Sequence, residues 1–149
     1  MLCADIVEMR VTKMMIRTYS ELIQIPSFIE RYKYLKLYGT VGEDTFGFER
    51  YLNQILYKSS RWRELRNHII VRDSACDLAV DDREICDRII IHHINPITID
   101  DIIEENENVF NPEFLITTSH NTHNAIHYGD ESLLIMPLVE RQPGDTTLW

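Results

Sequence analysis

The sequence predicts an α+β fold, with a helical first half and a second half of short strands closed by a helix. Three observations carry this. Residues 18–72 hold capped segments with apolar side chains at helical spacing. The run RIIIHHI at 88–94 is β-branched and continuous, as in a buried strand. SHNTHNAIHYG, from Ser119, opens on a capping residue and stops at Gly129, as a short helix does.

The elements follow in chain order. Thr18 to Glu21 and Ser27 to Glu30 both have capping-box spacing. After the second, SFIERYKYLKLYG runs helically to Gly39, with Phe28, Tyr32, Leu35 and Tyr38 able to share a face. TVGEDTFGFER (40–50) reads as a loop leading into a helix over about 49–57. Ser59 or Ser60 can cap a further helix over 61–72, on which Trp62, Leu65 and Ile69 recur on one side. Trp62 is expected in the core and His68 on the surface. SACDLAV and RIIIHHI then read as strands separated by the polar turn DDRE, the second broken by Asn95-Pro96. Residues 98–108 form a short helix or a loop, NPEFLITTS a third strand, and 119–129 the closing helix. By domain, 1–17 is an N-terminal extension open to disorder and 18–57 a helical N-terminal region. Residues 58–129 form the core, and 130–149 a tail with one apolar patch.

Composition narrows the class. With 44% hydrophobic and 26% charged residues, the 149-residue chain is ordinary for a globular domain. No apolar run approaches the ~20 residues of a membrane helix. The N-terminal stretch lacks a signal-peptide pattern, which points to the cytoplasm, and Met14 and Met15 leave a later start open. Cys3, Cys76 and Cys86 form no C-x-x-C pair, so neither a disulfide framework nor an all-cysteine zinc site is expected. A net charge of −9 argues against nucleic acid as partner. That charge is uneven, however. TIDDIIEENEN (98–108) holds five acidic residues and no basic one, whereas 57–73 carries Lys58, Arg61, Arg63, Arg66 and Arg72. A basic face on an acidic chain is therefore open.

Five of the six histidines sit in IIIHHINP and SHNTHNAIHYG. On a helix, residues four apart face the same way, so His123 and His127 can grip one cation. Neighbours in a strand face opposite sides. If His92 faces the helix it becomes a third ligand, and His93 points elsewhere unless the strand end twists. Three imidazoles with a coordination position left open are the layout of a catalytic site. A histidine beside the metal but not bound to it is suited to general-base work. Such an assembly suits phosphodiester hydrolysis. His120 lies on another face of the helix and is expected to be exposed. Asp100 or Asp101 as a ligand needs a geometry that spacing does not give.

The stretch from Trp62 to Gly129 resembles the HNH endonuclease family, through WRELRNHIIVRD with Cys76 after it, IHHINP, and NPEFLITTSHNTHNAIHYG, in that order. The His-His and H-x-x-x-H variant looks like colicin-type DNases. The whole chain, including YLKLYGTVGEDTFGFERYLNQILY, also resembles small HNH proteins of phages and prophages. The resemblance implies a ββα-metal core and His93 as general base. It also implies one divalent cation (magnesium, manganese, nickel or zinc) held by His92, His123 and His127. Two departures stand out. Where many members pair cysteines around a structural zinc, this chain has Cys76 with Ala79, and Ser119 with Thr122. No zinc knuckle is expected, and packing alone, supplied by helices in 18–57, must hold the core. The family's asparagine position holds Phe114, so Asn111 and Asn121 are the candidates to orient the base.

The function expected from this resemblance is metal-dependent hydrolysis of double-stranded DNA with little sequence readout, in the cytoplasm of a bacterial host. Arg61, Arg63 and Arg66 are the candidate phosphate contacts, a homodimer would suit double-strand cuts, and RNA is an open substrate. The alternative is a weak or inactive HNH-fold protein that binds and inhibits a host protein, an idea resting on the acidic charge and the missing asparagine.

Overall fold

The computed structural model describes residues 16–37, 49–80, 83–135 and Pro143, with the side chains of the third helix described from Gln54 onward. Among these residues the fold is mixed, with six α-helices and one two-stranded antiparallel sheet. Tyr38, Gly39, most of the 40–50 loop, most of 1–17 and nearly all the residues after Ile135 lie outside the described residues.

The first helix, α1 (Tyr19–Leu22), is a single turn started by Thr18, whose hydroxyl accepts from the Glu21 amide at 3.2 Å. Its capping box does not close, because the Glu21 carboxylate is taken by the Tyr34 hydroxyl instead. The second helix, α2 (Phe28–Leu35), forms without the expected side-chain cap from Ser27 and ends before Gly39. Its early end has a tertiary cause. Lys36 turns extended, and the buried Leu37 donates its amide to the Ile126 carbonyl at 3.1 Å. Tyr32 and Leu35 point inward as their spacing predicts.

Next come α3 (Glu49–Lys58) and α4 (Ser60–Arg72), the latter capped by the Ser59 hydroxyl on the Trp62 amide at 3.1 Å. Trp62 and Ile69 are buried, Leu65 is half-buried and His68 exposed. The expected strand SACDLAV is not one. Ser74 and Ala75 take positive φ of 56° and 55°, which turns the chain sharply off the end of α4. Residues 76–80 and 83–89 are irregular, with a bridge between Cys76 and Glu84.

The sheet consists of β1 (Ile90–His93) and β2 (Leu115–Thr118), pairing Ile90 with Thr118 and His93 with Leu115. Between them the acidic segment folds into α5 (Ile99–Ile103), closed by a Thr98–Asp101 capping box, and two 3-10 turns at Glu107–Phe110 and Pro112–Phe114. Helix α6 (His120–Tyr128) follows β2, capped by Ser119 and ended by Gly129 at φ 66°.

Strand alternation divides the interior in two. Ile94 and Ile116 pack with Leu22, Tyr32, Leu35, Ala125 and Ile126, so this face meets α6 and the N-terminal helices. Ile91 and Leu115 pack with Leu56, Trp62, Ile69 and Val109, so the opposite face meets α3 and α4. The N-terminal region thus contributes to both cores. Packing is not alone in holding the molecule, however. Asp73 and Asp77, buried in the loop after α4, fasten β2 and α6 through hydrogen bonds. No described helix is long and apolar enough to cross a membrane.

Candidate metal centre

His92 sits in β1 opposite Ile116, which places it on the face covered by α6. His123 and His127 lie one turn apart on α6, their ring centroids separated by 4.3 Å. The His92 ring is 5.4 Å from that of His123 and 5.1 Å from that of His127, edge-on to both. One ligand nitrogen from each of the three falls within 4.8 Å of the others. The three histidines therefore lie close enough to hold a metal ion.

The electrostatics suit a cation. Burial pushes His92 well below its ordinary range, with the neighbouring histidines lowering it further. Burial likewise holds His123 down to about 4, with His127 adding to the effect, and lowers His127. All three rings are therefore neutral at pH 7, with lone pairs to give. His92 is 2% exposed, and its Nε2 is buried with no hydrogen-bond partner. A buried polar nitrogen without a partner costs stability unless something fills the place. A cation bound between the three imidazoles would fill it, so the residues fit the group. Zinc, nickel and cobalt suit such donors better than magnesium, which prefers oxygen.

His93 does not join them. Alternation turns it to the other face of the sheet, where it stacks on Trp62 at 5.5 Å and 20° between planes. Its Nε2 lies 3.1 Å from the Val109 carbonyl. A carbonyl only accepts, so Nε2 carries the proton and Nδ1 keeps the lone pair. Burial lowers this imidazole to about 4, against the Val109 bond, which raises it. At pH 7 the ring is neutral and able to take a proton.

Neither asparagine candidate reaches His93. The Asn111 side chain accepts from the Glu113 amide at 3.0 Å, satisfying a donor left open at the Pro112 turn. Asn121 is exposed on α6. The contact to His93 comes from main chain, at Val109, rather than from either. Phe114 receives the Ile94 amide on its carbonyl at 2.9 Å. Asp101 is spent on Thr98 and Asn106, and Asp100 is exposed, so neither belongs to the histidine group. His120 is exposed and sits 3.2 Å from the Asn124 amide nitrogen.

Of the three arginines, Arg61 pairs with Glu107 at 2.8 Å and lies 3.9 Å over the Phe110 ring. Arg66 donates to the Ile89 carbonyl at 3.3 Å. Both are engaged within the fold, while Arg63 is exposed.

Sequence reasoning missed Asp73 and Asp77. Asp73 accepts the Thr117 amide at 2.8 Å and is paired with Arg72 at 2.7 Å. Asp77 accepts the Ser119 amide, the Thr122 hydroxyl and the Ala79 amide. No local pattern signals them, because their partners Thr117, Ser119 and Thr122 lie 42 to 45 residues away along the chain. Compared with family models, curated proteins and solved structures, the chain matches none.

Proposed function

We propose that this chain is a metal-dependent endonuclease of the HNH type, hydrolysing phosphodiester bonds of double-stranded DNA. The observation that carries the reading is the convergence of His92, His123 and His127 around the partnerless His92 Nε2. Neutral imidazoles in an apolar setting are made to bind a divalent cation, which would supply charge stabilisation to the phosphate and the leaving oxygen. His93 is the general base of this reading. Its fixed tautomer supports the role by leaving Nδ1 to receive a proton as water adds to phosphorus. Its place on the opposite sheet face from the three histidines and a pKa held to about 4 count against it. The P–O bond to the sugar then breaks, giving a phosphomonoester and a free hydroxyl. Arg63, exposed on α4, is the better placed of the three arginines for a phosphate, because Arg61 and Arg66 already have partners.

The test is nicking of supercoiled plasmid by metal-stripped protein, with magnesium, manganese, nickel and zinc restored separately. Cleavage that needs a metal and is lost in His93→Ala, with metal binding kept, is the expected result. Metal binding without cleavage under any condition moves the chain to a second reading, an HNH-fold protein that binds and inhibits a host protein. The observations favouring that reading are the engagement of Asn111 elsewhere and the exposed acids Asp100, Glu104, Glu105 and Glu107.

A further inference from the structure

We propose that Asp77 is the positioning residue of the histidine centre, a hydrogen-bonded anchor that sets where α6 begins and so where His123 and His127 stand against His92. The proposal rests on the metal-site reading and adds to it the means by which the site is held in register.

The geometry is local and specific. Asp77 is 1% exposed, and three donors converge on its carboxylate. Ser119 donates its amide to Oδ2 at 3.2 Å, and the Thr122 hydroxyl donates to the same oxygen. Ala79 donates its amide to Oδ1 at 3.2 Å, which fixes the carboxylate to its own loop. Ser119 and Thr122 are in turn joined, the Ser119 hydroxyl donating to Thr122 Oγ1 at 3.0 Å and accepting the Thr122 amide at 3.2 Å. The anchor therefore grips the N-cap and the third residue of α6 together. His123 is the next residue along, and its own amide bonds back to the Ser119 carbonyl at 2.9 Å.

The loop that carries Asp77 is itself fixed to the sheet. Leu78 donates its amide to the Thr117 carbonyl at 3.3 Å, and the Thr117 hydroxyl lies 2.6 Å from the Cys76 carbonyl. The chain thus ties strand, loop and helix start into one unit, with His92 on the strand side and the other two histidines on the helix side. A negative charge at the start of a helix also stabilises it through the helix dipole. If the anchor is cut, α6 keeps its core contacts through Ala125 and Ile126 and the bonds from Tyr32 and Leu37 near its end, but loses the bonds that fix its first turn.

The probe is Co2+, which imidazole sites bind and whose d–d absorption reports the ligand set. Dissociation constants and spectra are compared for the wild type, Asp77→Ala, Asp77→Asn and Thr122→Val, alongside Ser59→Ala, which removes a helix cap far from the site. Removing a group hydrogen-bonded directly to a metal ligand costs about 10–100-fold in affinity, and Asp77, which acts through Ser119 and Thr122, is expected at the lower end of that range, about tenfold. The expected result is a loss of about that size with an altered spectrum in Asp77→Ala and Thr122→Val, and a smaller loss in Asp77→Asn, which keeps one acceptor oxygen. Ser59→Ala should lower the melting temperature with Co2+ affinity unchanged. If Asp77→Ala does not fold, Thr122→Val decides. Wild-type affinity and spectrum in folded Asp77→Ala or in Thr122→Val overturn the positioning role alone. Failure of the wild type to bind Co2+ overturns the metal centre and this role together.

Discussion

His92 carries a cost that a bound metal would relieve. Its Nε2 is buried without a partner, and such a group costs about 1–3 kcal/mol. In chelator-treated protein, His92→Leu is therefore expected to raise the melting temperature while abolishing metal binding. A fall in melting temperature would mean that the ring is satisfied by something other than a metal. His93 behaves oppositely, because its ring fills space against Trp62 and donates to Val109. His93→Ala should cost about 1–3 kcal/mol by denaturant titration, keep metal affinity and remove cleavage. Retained cleavage would take the base role away from His93.

At the scale of elements, α6 is the one on which the site depends, and both its ends are specified. Ser119→Ala removes the cap on the Thr122 amide and should cost about 1 kcal/mol, read by chemical denaturation. Gly129→Ala forces a side chain into the left-handed region, where its Cβ would meet Lys36 Cε at 3.2 Å and the Leu37 carbonyl at 3.3 Å. A cost of about 1–2 kcal/mol is expected from the backbone alone. These ends were legible in the sequence, since Ser and Gly act through bonds within the helix. So was the pairing of His123 with His127 through helical spacing, whereas periodicity put His92 and His93 on opposite faces without saying which one meets the helix. Other features were not legible, for a common reason. The end of α2 depends on Leu37 reaching Ile126, and the loss of the SACDLAV strand depends on two residues other than glycine taking positive φ. The Asp77 anchor joins groups 42 and 45 residues apart, which no local pattern displays.

For the whole molecule, the buried histidines link stability to pH. The ordinary histidine value is 6.5, and the fold lowers His93 and His123 to about 4 and lowers His92 and His127 as well. The unfolded chain binds these protons more readily than the native one, so folding is favoured above about 6.5 and loses that advantage as pH falls toward 4. Chelator-treated protein should therefore show a melting temperature that falls steadily across this window, and the fall should be shallower in His93→Phe, which removes one titrating ring. A flat profile from 6.5 to 4 would contradict the burial of neutral imidazoles. Metal acts on the same balance from the other side, because binding to the folded state alone raises stability in proportion to the logarithm of free metal.

The most direct measurement is X-ray absorption at the zinc edge on protein loaded with one equivalent of Zn2+. A metal centre built by His92, His123 and His127 predicts a first shell containing three imidazole nitrogens, completed by light-atom ligands from solvent. It also predicts loss of imidazole scattering in step with His92→Ala, His123→Ala or His127→Ala. A first shell of oxygen or sulfur, or a zinc environment unchanged by those substitutions, would contradict it.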